Sequence, residues 1–177
     1  MGREPDQKLQ VMIVGTGQIA GGYSQNNIED AVLTHAHAYQ RHGKFEVVAC
    51  IDPDEEKRAA FQQTWNVQQG FSSLSEWITT NQHIDVISVC SPDQTHAAIL
   101  NECLGLSPKL VFAEKPLALS LDDALAISNN YKSANVPLMV NYQRRWDTAL
   151  QELQASIRSG EYGSLQTATA YYGKGLW

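Results

Sequence analysis

An apolar run at residues 9–14 leads directly into a glycine-rich turn, Gly-Thr-Gly-Gln-Ile-Ala at positions 15–20. Gly15 permits a tight turn after a strand, Gly17 lets the backbone approach a pyrophosphate, and Ala20 lets a helix pack closely on the sheet. A helix that begins here presents amide donors and the positive end of its dipole to phosphate groups. A glycine pattern alone also fits an ordinary strand-to-helix turn, so its meaning depends on the segments that follow.

Short β-rich runs alternate with helical patterns along most of the chain. The runs are nearly continuous in apolar residues, which is typical of strands covered on both faces of a parallel sheet. Strands are predicted at residues 9–14, 45–51, 84–90, 109–113 and 136–141, with a weaker strand at 70–71. Helices are predicted at 53–65, 75–81, 95–104 and 121–133, and a polar loop at 25–33. This alternation predicts a doubly wound α/β domain, a dinucleotide-binding Rossmann domain that we assign to residues 1–141.

The residues after 141 follow a different pattern. Residues 147–158 predict an amphipathic helix, with Leu150, Leu153 and Ile157 at spacings of three and four. Residues 165–172 are rich in Thr, Ala and Tyr and predict one more strand. A lone strand beyond a complete sheet has no obvious partner. We therefore expect residues 142–177 to begin a second α/β domain that this chain does not finish.

The charge and cysteine content narrow the class of partner. The 177 residues carry a net charge of −6, which counts against nucleic acid or an anionic membrane as the main partner. No apolar run is long enough to span a membrane, and the polar start lacks a signal core, so a cytoplasmic protein is expected. The three cysteines, Cys50, Cys90 and Cys103, are not spaced as metal ligands and are predicted to be reduced. His35 and His37 do not share a helical face, so no metal site is predicted.

An acid follows the second predicted strand. Asp52 lies where a carboxylate accepts hydrogen bonds from an adenosine ribose and repels a 2′-phosphate, which favours NAD over NADP. Its separation from Gly17 is 35 residues (52 − 17), more than the usual ~20, and the polar stretch at 25–33 accounts for the excess. Asp52 also fits a helix N-cap, and both roles remain open at this point.

Two further strand ends carry polar side chains. Ser-Pro-Asp-Gln-Thr-His follows the strand at 84–90, and Glu-Lys-Pro follows the strand at 109–113. Ligands of open α/β sheets bind outside the carboxyl ends of the strands, so both segments lie where a site is expected. Lys115, between Glu114 and Pro116, can donate a hydrogen bond to a hydroxyl or carboxamide oxygen there.

With the Asn-Tyr-Gln-Arg-Arg-Trp segment at 141–146, these motifs occur in the order seen in the Gfo/Idh/MocA oxidoreductases, which the whole chain resembles. The Glu-Lys-Pro and Arg-Arg-aromatic segments make the resemblance specific. It implies an NAD(P)-dependent dehydrogenase or reductase of sugars, inositols or sugar nucleotides. It also implies a Rossmann domain followed by a C-terminal domain whose large open sheet often mediates homo-oligomerisation.

The resemblance also implies roles for individual residues. Those expected to border the pyrophosphate are Gly15, Thr16, Gly17, Gln18 and Ile19. Those expected around the two riboses and the nicotinamide are Asp52 at the adenosine ribose, Ser91, Pro92 and His96 at the nicotinamide half, Glu114 at its ribose, and Arg145 at its end. Lys115 is the expected catalytic residue, which reaches both cofactor and substrate hydroxyl. The alternatives are a surface role for Lys115 and a capping or packing role for His96.

One departure from the family pattern limits the functional prediction. Family members usually carry a His soon after the strand represented here by residues 165–172, and that His accepts the substrate proton. This sequence has no His after His96. We therefore expect a truncated piece of a longer oxidoreductase that binds the cofactor without turnover. The alternative is a non-catalytic dinucleotide-binding regulator or sensor.

Overall fold

Six parallel strands form one sheet in the computed structural model, which describes residues 7–24, 31–80 and 82–171. The strands are β1 (Leu9–Val14), β2 (Phe45–Ile51), β3 (Gln69–Phe71), β4 (Val86–Val89), β5 (Leu110–Ala113) and β6 (Leu138–Val140). Their order in the sheet is β3-β2-β1-β4-β5-β6, so the direction of the strand order reverses between β1 and β4. The predicted doubly wound α/β fold is confirmed.

The α-helices of the described residues, except α4, begin at polar side-chain caps. They are α1 (His35–His42), α2 (Glu55–Trp65), α3 (Leu74–Ile78), α4 (His96–Leu104), α5 (Leu121–Ser133) and α6 (Thr148–Ser159). The side chains of Thr34, Asp54, Ser73 and Ser120 accept backbone N–H bonds at the starts of α1, α2, α3 and α5. Each such cap stabilises a helix by about 1 kcal/mol and fixes the residue at which it begins.

Two apolar clusters cover the two faces of the sheet. Val11 and Ile13 of β1 belong to the cluster that contains Phe61 of α2, whereas Met12 belongs to the cluster that contains Ile127 of α5. Alternate residues of one strand point to opposite faces, so β1 is covered from both sides. Burial of each such side chain contributes about 1.5–3 kcal/mol. The nearly continuous apolar runs of the sequence follow from this double covering.

Strand and helix ends differ from the predictions at several places. The strand predicted at 84–90 pairs regularly over Val86–Val89, and the helix predicted at 75–81 spans Leu74–Ile78. At its end, the amides and hydroxyls of Thr79 and Thr80 donate to the carbonyls of Glu76 and Trp77, three residues earlier, so the last turn has the 3₁₀ pattern. Position 81 and most of the loop predicted at 25–33, residues 25–30, lie outside the described residues.

The three cysteines lie in the interior of the protein. Cys50, Cys90 and Cys103 are all buried and form no disulfide with one another. Burial raises the pKa of the Cys50 thiol to about 12 and that of Cys103 to about 12, so both behave as small apolar side chains. Among the described residues, no helix combines the length and apolar character needed to cross a membrane.

The chain divides into two compact units, one that ends at Asn141 and one that begins at Tyr142. In the second unit, a 3₁₀ turn (Gln143–Trp146) precedes α6, whose first turn is capped by Asp147. The strand predicted at 165–172 is wrong: residues 165–171 are exposed and adopt no regular structure, and position 172 lies outside the described residues. A strand requires a neighbour for its backbone N–H and C=O groups, and no described segment pairs with these residues.

Gly15 provides a test of the packing at the centre of the sheet. Its φ is +88°, and an added Cβ would lie 2.6 Å from the backbone nitrogen of Ser91. Gly15→Ala should therefore lower the free energy of unfolding by about 2 kcal/mol or more, measured by chemical denaturation. The control is Gly43→Ala, where φ is +75° but no described atom lies within 4 Å of the added Cβ. Equal losses in the two variants would contradict the close contact with Ser91.

Candidate cofactor-binding site

A cleft of about 720 Å³ opens at the carboxyl ends of the strands, next to the β1–β4 reversal point. Its lining comes from separate parts of the chain: the ends of β1, β2 and β4 and the starts of α2, α3 and α4. The reversal point separates the loops that leave neighbouring strands, because one turns to each face of the sheet. The cleft therefore results from the strand order, and the polar ends of β2 and β4 meet there, whereas Glu114 and Lys115, after β5, are not among its lining residues.

The glycine turn forms one wall of this cleft. The amide of Gly15 donates to the carbonyl of Ile51 at 2.8 Å, which ties the turn to the end of β2. Gly17 is exposed and lines the cleft, and no described atom lies within 4 Å of the position its Cβ would occupy. Its bare backbone leaves room for a bulky anion such as a pyrophosphate to approach.

The helix expected directly after the glycine turn is interrupted. The amide of Gly21 donates to the carbonyl of Gly17 at 3.2 Å, which makes one helical turn, but α1 begins only at His35. The amides of His35 and Ala36 then donate to the carbonyls of Ile19 and Ala20, at 3.2 and 2.9 Å. The chain thus leaves the helix after one turn and returns to continue it, so the excess spacing to Asp52 lies in an insertion that leaves β2 in place.

Asp52 lies at the end of β2 and contacts the glycine turn. Its Oδ2 accepts hydrogen bonds from both the backbone amide and the hydroxyl of Thr16, each at 2.8 Å. Its Oδ1 accepts from the amide of Asp54 at 3.0 Å, while the Asp54 side chain caps α2. The alternative of Asp52 as the helix N-cap is therefore wrong, because Asp54 performs that role. The carboxylate is instead held at the cleft, beside the turn.

The end of β4 contributes two residues to the cleft and a buried histidine behind it. Ser91 and Pro92 line the cleft, as their place in the sequence predicts. His96 is only 1% exposed, and its ring nitrogens lie 2.9 Å from the carbonyl oxygen of Ser91 and 2.6 Å from that of Pro116. This geometry corresponds to the packing alternative, in which His96 joins the turns after β4 and β5.

The end of β5 carries Glu114 and Lys115, and the peptide bond to Pro116 is cis. Glu114 is buried, and its Oε1 accepts hydrogen bonds from the ring of His35 at 2.9 Å and from the side-chain amide of Asn141 at 2.6 Å. Burial raises the pKa of this carboxyl, but the hydrogen bonds from His35 and Asn141, the electrostatic effect of His35 and the backbone amide of Lys115 together outweigh burial, so the net pKa lies below its usual value. Glu114 is therefore ionised at neutral pH. The side chain of Lys115 is exposed at the same edge of the sheet.

Arg145 lies in the second unit, on the exposed 3₁₀ turn before α6. Its assignment to the nicotinamide end of the site stays a prediction.

The two histidines at the start of α1 have different partners. His35 contacts Glu114 and Ser88, and His37 contacts Ser24.

Several residues that line the cleft were missed by the sequence analysis. They are Tyr23, Pro53, Lys57, Ser72, Ser73, Leu74, Ile99 and Glu102. Ser73 carried a signal, because a Ser before an apolar helical segment is a typical cap. The others reach the cleft from three different helices and a turn, and no local pattern indicates which face of a helix meets a strand end.

The residues present fit a dinucleotide by their chemistry. An open backbone at Gly17 suits a pyrophosphate, the fixed carboxylate of Asp52 suits a ribose diol, and the polar ends of β4 and β5 follow along the same edge. A dinucleotide bound here would extend from the end of β2, past the glycine turn, toward the ends of β4 and β5. The adenosine half of a dinucleotide would thus occupy the β2 side.

The space at Gly17 can be tested separately from folding. Gly17→Ala should leave the free energy of unfolding within about 0.5 kcal/mol of the parent, since the methyl group meets open space. The same methyl group would occupy the approach to the turn, so the Kd for ADP should rise by about tenfold in isothermal titration calorimetry. Gly43→Ala, outside the cleft, should leave ADP binding unchanged. Unaltered ADP binding in Gly17→Ala would exclude this turn as the pyrophosphate site.

Comparisons with known proteins agree with this geometry. The chain is 26% identical over 157 residues to the myo-inositol 2-dehydrogenase of Thermotoga maritima, covering 88% of this chain and 42% of that protein. It is 28% identical over 130 residues to the D-apiose dehydrogenase of Paraburkholderia graminis, covering 73% of this chain and 34% of that protein. Among solved structures, the WlbA dehydrogenase of Bordetella pertussis, in complex with NADH and UDP-GlcNAcA, matches with a TM-score of 0.73 and 26% identity, over 89% of this chain and 44% of that one.

The chain spans less than half the length of each of these relatives. Residues 9–142 match the sequence model of the GFO_IDH_MocA family, described as an oxidoreductase family with an NAD-binding Rossmann fold. This match covers most of the first unit, including the glycine turn, Asp52 and the Glu-Lys-Pro segment. The sequence motifs, the strand order and the cleft agree with this match. The chain belongs to the Gfo/Idh/MocA family of oxidoreductases, and residues 9–142 are the NAD-binding Rossmann domain of that family.

Proposed function

We propose that this chain is the cofactor-binding part of an oxidoreductase that transfers a hydride between NAD and a hydroxyl or keto carbon of a sugar, inositol or sugar nucleotide. The observation that carries the proposal is the common edge of the sheet. Along this edge, from β2 to β5, lie the carboxylate of Asp52, then the open turn at Gly17 and then the turn with Glu114 and Lys115. Family membership supports the cofactor, and the polyol and sugar substrates of the relatives support the substrate class.

The residues of this chain bind and orient the reactants. The nicotinamide ring, when bound, supplies the carbon that accepts or gives the hydride. Backbone amides of the glycine turn hold the pyrophosphate, with Thr16, Gln18 and Ile19 beside it. Asp52 binds the adenosine ribose, and Glu114 binds the nicotinamide ribose.

Lys115 is the proposed catalytic residue. Its ammonium group is exposed at the end of β5, beside the buried carboxylate of Glu114. There it donates a hydrogen bond to the reacting oxygen of the substrate and stabilises the negative charge that develops on it as the proton leaves. We propose that Ser91 and Pro92 border the nicotinamide and that Arg145 closes the nicotinamide end.

The proton acceptor is proposed to lie in a part of the complete protein that this chain does not span, since the chain covers less than half the length of its relatives. On this proposal the chain binds NAD but does not catalyse turnover by itself, and the complete protein is a cytoplasmic homo-oligomer with small-molecule substrates and no nucleic acid partner. A non-catalytic NAD sensor is the second candidate, and turnover by the complete protein distinguishes the two.

The role of Lys115 can be tested in the complete protein. Lys115→Ala should lower kcat for the best sugar or inositol substrate by about 100-fold or more, because a charge-stabilising donor is lost in the transition state. The Kd for NADH should change less than about threefold, since the cofactor keeps its other contacts. The control is Lys44→Ala, an exposed lysine in the turn before β2. Near-normal turnover in Lys115→Ala would overturn the catalytic assignment, and NADH binding without turnover in the parent would favour the sensor.

The proposed preference for NAD rests on Asp52. Asp52→Ser removes the charge that repels a 2′-phosphate, while the exposed ammonium group of Lys57 remains in the lining of the cleft. The ratio of the Kd for NADPH to the Kd for NADH should fall by about tenfold, measured by fluorescence titration. Asp54→Ser is the matched control, since it removes a nearby carboxylate and keeps an N-cap side chain. An unchanged ratio in Asp52→Ser would exclude Asp52 as the discriminating residue.

A further inference from the structure

We propose that His35 is a positioning residue, which holds the carboxylate of Glu114 in the orientation that binds the nicotinamide ribose. The inference rests on the proposed function of Glu114 and adds a residue from a different element, the first turn of α1. It concerns the binding of one half of the cofactor, so it can be tested without turnover.

The contact between the two side chains is direct and buried. His35 Nε2 lies 2.9 Å from Glu114 Oε1, and the two side chains are 3% and 11% exposed. Asn141, just after β6, donates to the same oxygen at 2.6 Å. Since His35 and Asn141 both engage Oε1, lone pairs of Oε2 remain to accept a hydrogen bond from a ribose hydroxyl, beside the contact that the backbone amide of Lys115 makes with this carboxylate.

The remaining partners of His35 fix its ring. An ionised carboxylate only accepts, so Nε2 must carry the proton and Nδ1 accepts in the neutral ring. Nδ1 lies 3.3 Å from the hydroxyl of Ser88, which lies 2.7 Å from the hydroxyl of Tyr39. Burial raises the pKa of Tyr39 to about 12, so its hydroxyl keeps its proton at neutral pH. When Tyr39 donates to Ser88, Ser88 to His35 and His35 to Glu114, each of these groups has a hydrogen-bond partner.

Packing fixes the same ring from a second side. The centroid of the His35 ring lies 4.9 Å from that of Phe112 on β5, two residues before Glu114. At the backbone, the amide of His35 donates to the carbonyl of Ile19, which lines the cleft beside the glycine turn. His35 thus connects the turn that is proposed to hold the pyrophosphate with the acid that is proposed to hold the nicotinamide ribose.

The helix supplies a matched control. His37 is two residues farther along α1 and is fully buried, but it faces Ser24 and the ring of Trp65 rather than Glu114. Substitution of either histidine by Phe removes a buried imidazole from the same helix. Only the His35 change removes a donor to Glu114.

The experiment compares two probes in the complete protein. NADH contains the nicotinamide ribose, whereas ADP ends before it, so the ratio of their Kd values reports on the Glu114 end alone. In His35→Phe, the Kd for NADH should rise by about tenfold while that for ADP changes by less than about twofold. His35→Gln, which retains an N–H donor, should recover much of the NADH affinity. His37→Phe should leave the ratio of the two Kd values unchanged.

A double-mutant cycle with Glu114→Gln identifies the partner. If His35 acts through Glu114, His35→Phe should add little to the loss of NADH affinity that Glu114→Gln causes alone. Ser88→Ala is a milder variant for the case in which His35→Phe does not fold. It removes the hydroxyl that orients the His35 ring and should raise the NADH-to-ADP ratio of Kd values in the same direction.

The outcomes distinguish the role of His35 from the proposed function. Failure of the parent protein to bind NADH would overturn the proposed function. Binding of NADH by the parent, with an unchanged NADH-to-ADP ratio in both His35→Phe and Ser88→Ala, would overturn the role of His35 alone. Equal weakening of NADH and ADP would also overturn it, because it would indicate a structural role without preference for the nicotinamide half.

Discussion

The contact between the glycine turn and the backbone after β4 is the constraint on which the rest of this structure depends. Gly15 lies so close to Ser91 that even one methyl group would overlap the backbone there. This approach lets β1 and β4 pair in parallel at the centre of the sheet while their loops leave to opposite faces. The exposed backbone of Gly17 and the position of Asp52 depend on it, because Gly17 belongs to the same turn and Asp52 accepts hydrogen bonds from Thr16, which follows Gly15 directly.

Buried polar groups then tie the strand ends to one another. Thr16 binds Asp52 across the ends of β1 and β2, and His96 joins the turns after β4 and β5. His35 and Asn141 both bind Glu114. Buried polar side chains that are hydrogen-bonded in this way allow few alternative arrangements, because each broken contact leaves a desolvated group without a partner. The candidate site is therefore built on rigid strand ends, as a site that orients a cofactor requires.

Local patterns in the sequence predicted most of the regular elements. Strands buried on both faces are continuous in apolar residues, and strands were predicted at all six positions of the sheet, more weakly at β3. The strand predicted at residues 165–172 was wrong, because strand-forming residue types at 165–171 have no partner among the described residues. Strand pairing is a contact between distant residues, which composition and spacing do not report.

By itself, the sequence determined the fold class, the glycine turn, the acid at the end of β2 and the family, because each can be recognised from patterns of residues that are close together in the sequence. Only the tertiary structure decided what these residues contact. It separated Asp54, the helix cap, from Asp52, which Thr16 holds at the cleft, and it buried His96 between two carbonyl groups. It also brought His35 to Glu114 across 79 residues of sequence. Such pairings depend on strand order and on which face each side chain occupies, and these are properties of the assembled sheet.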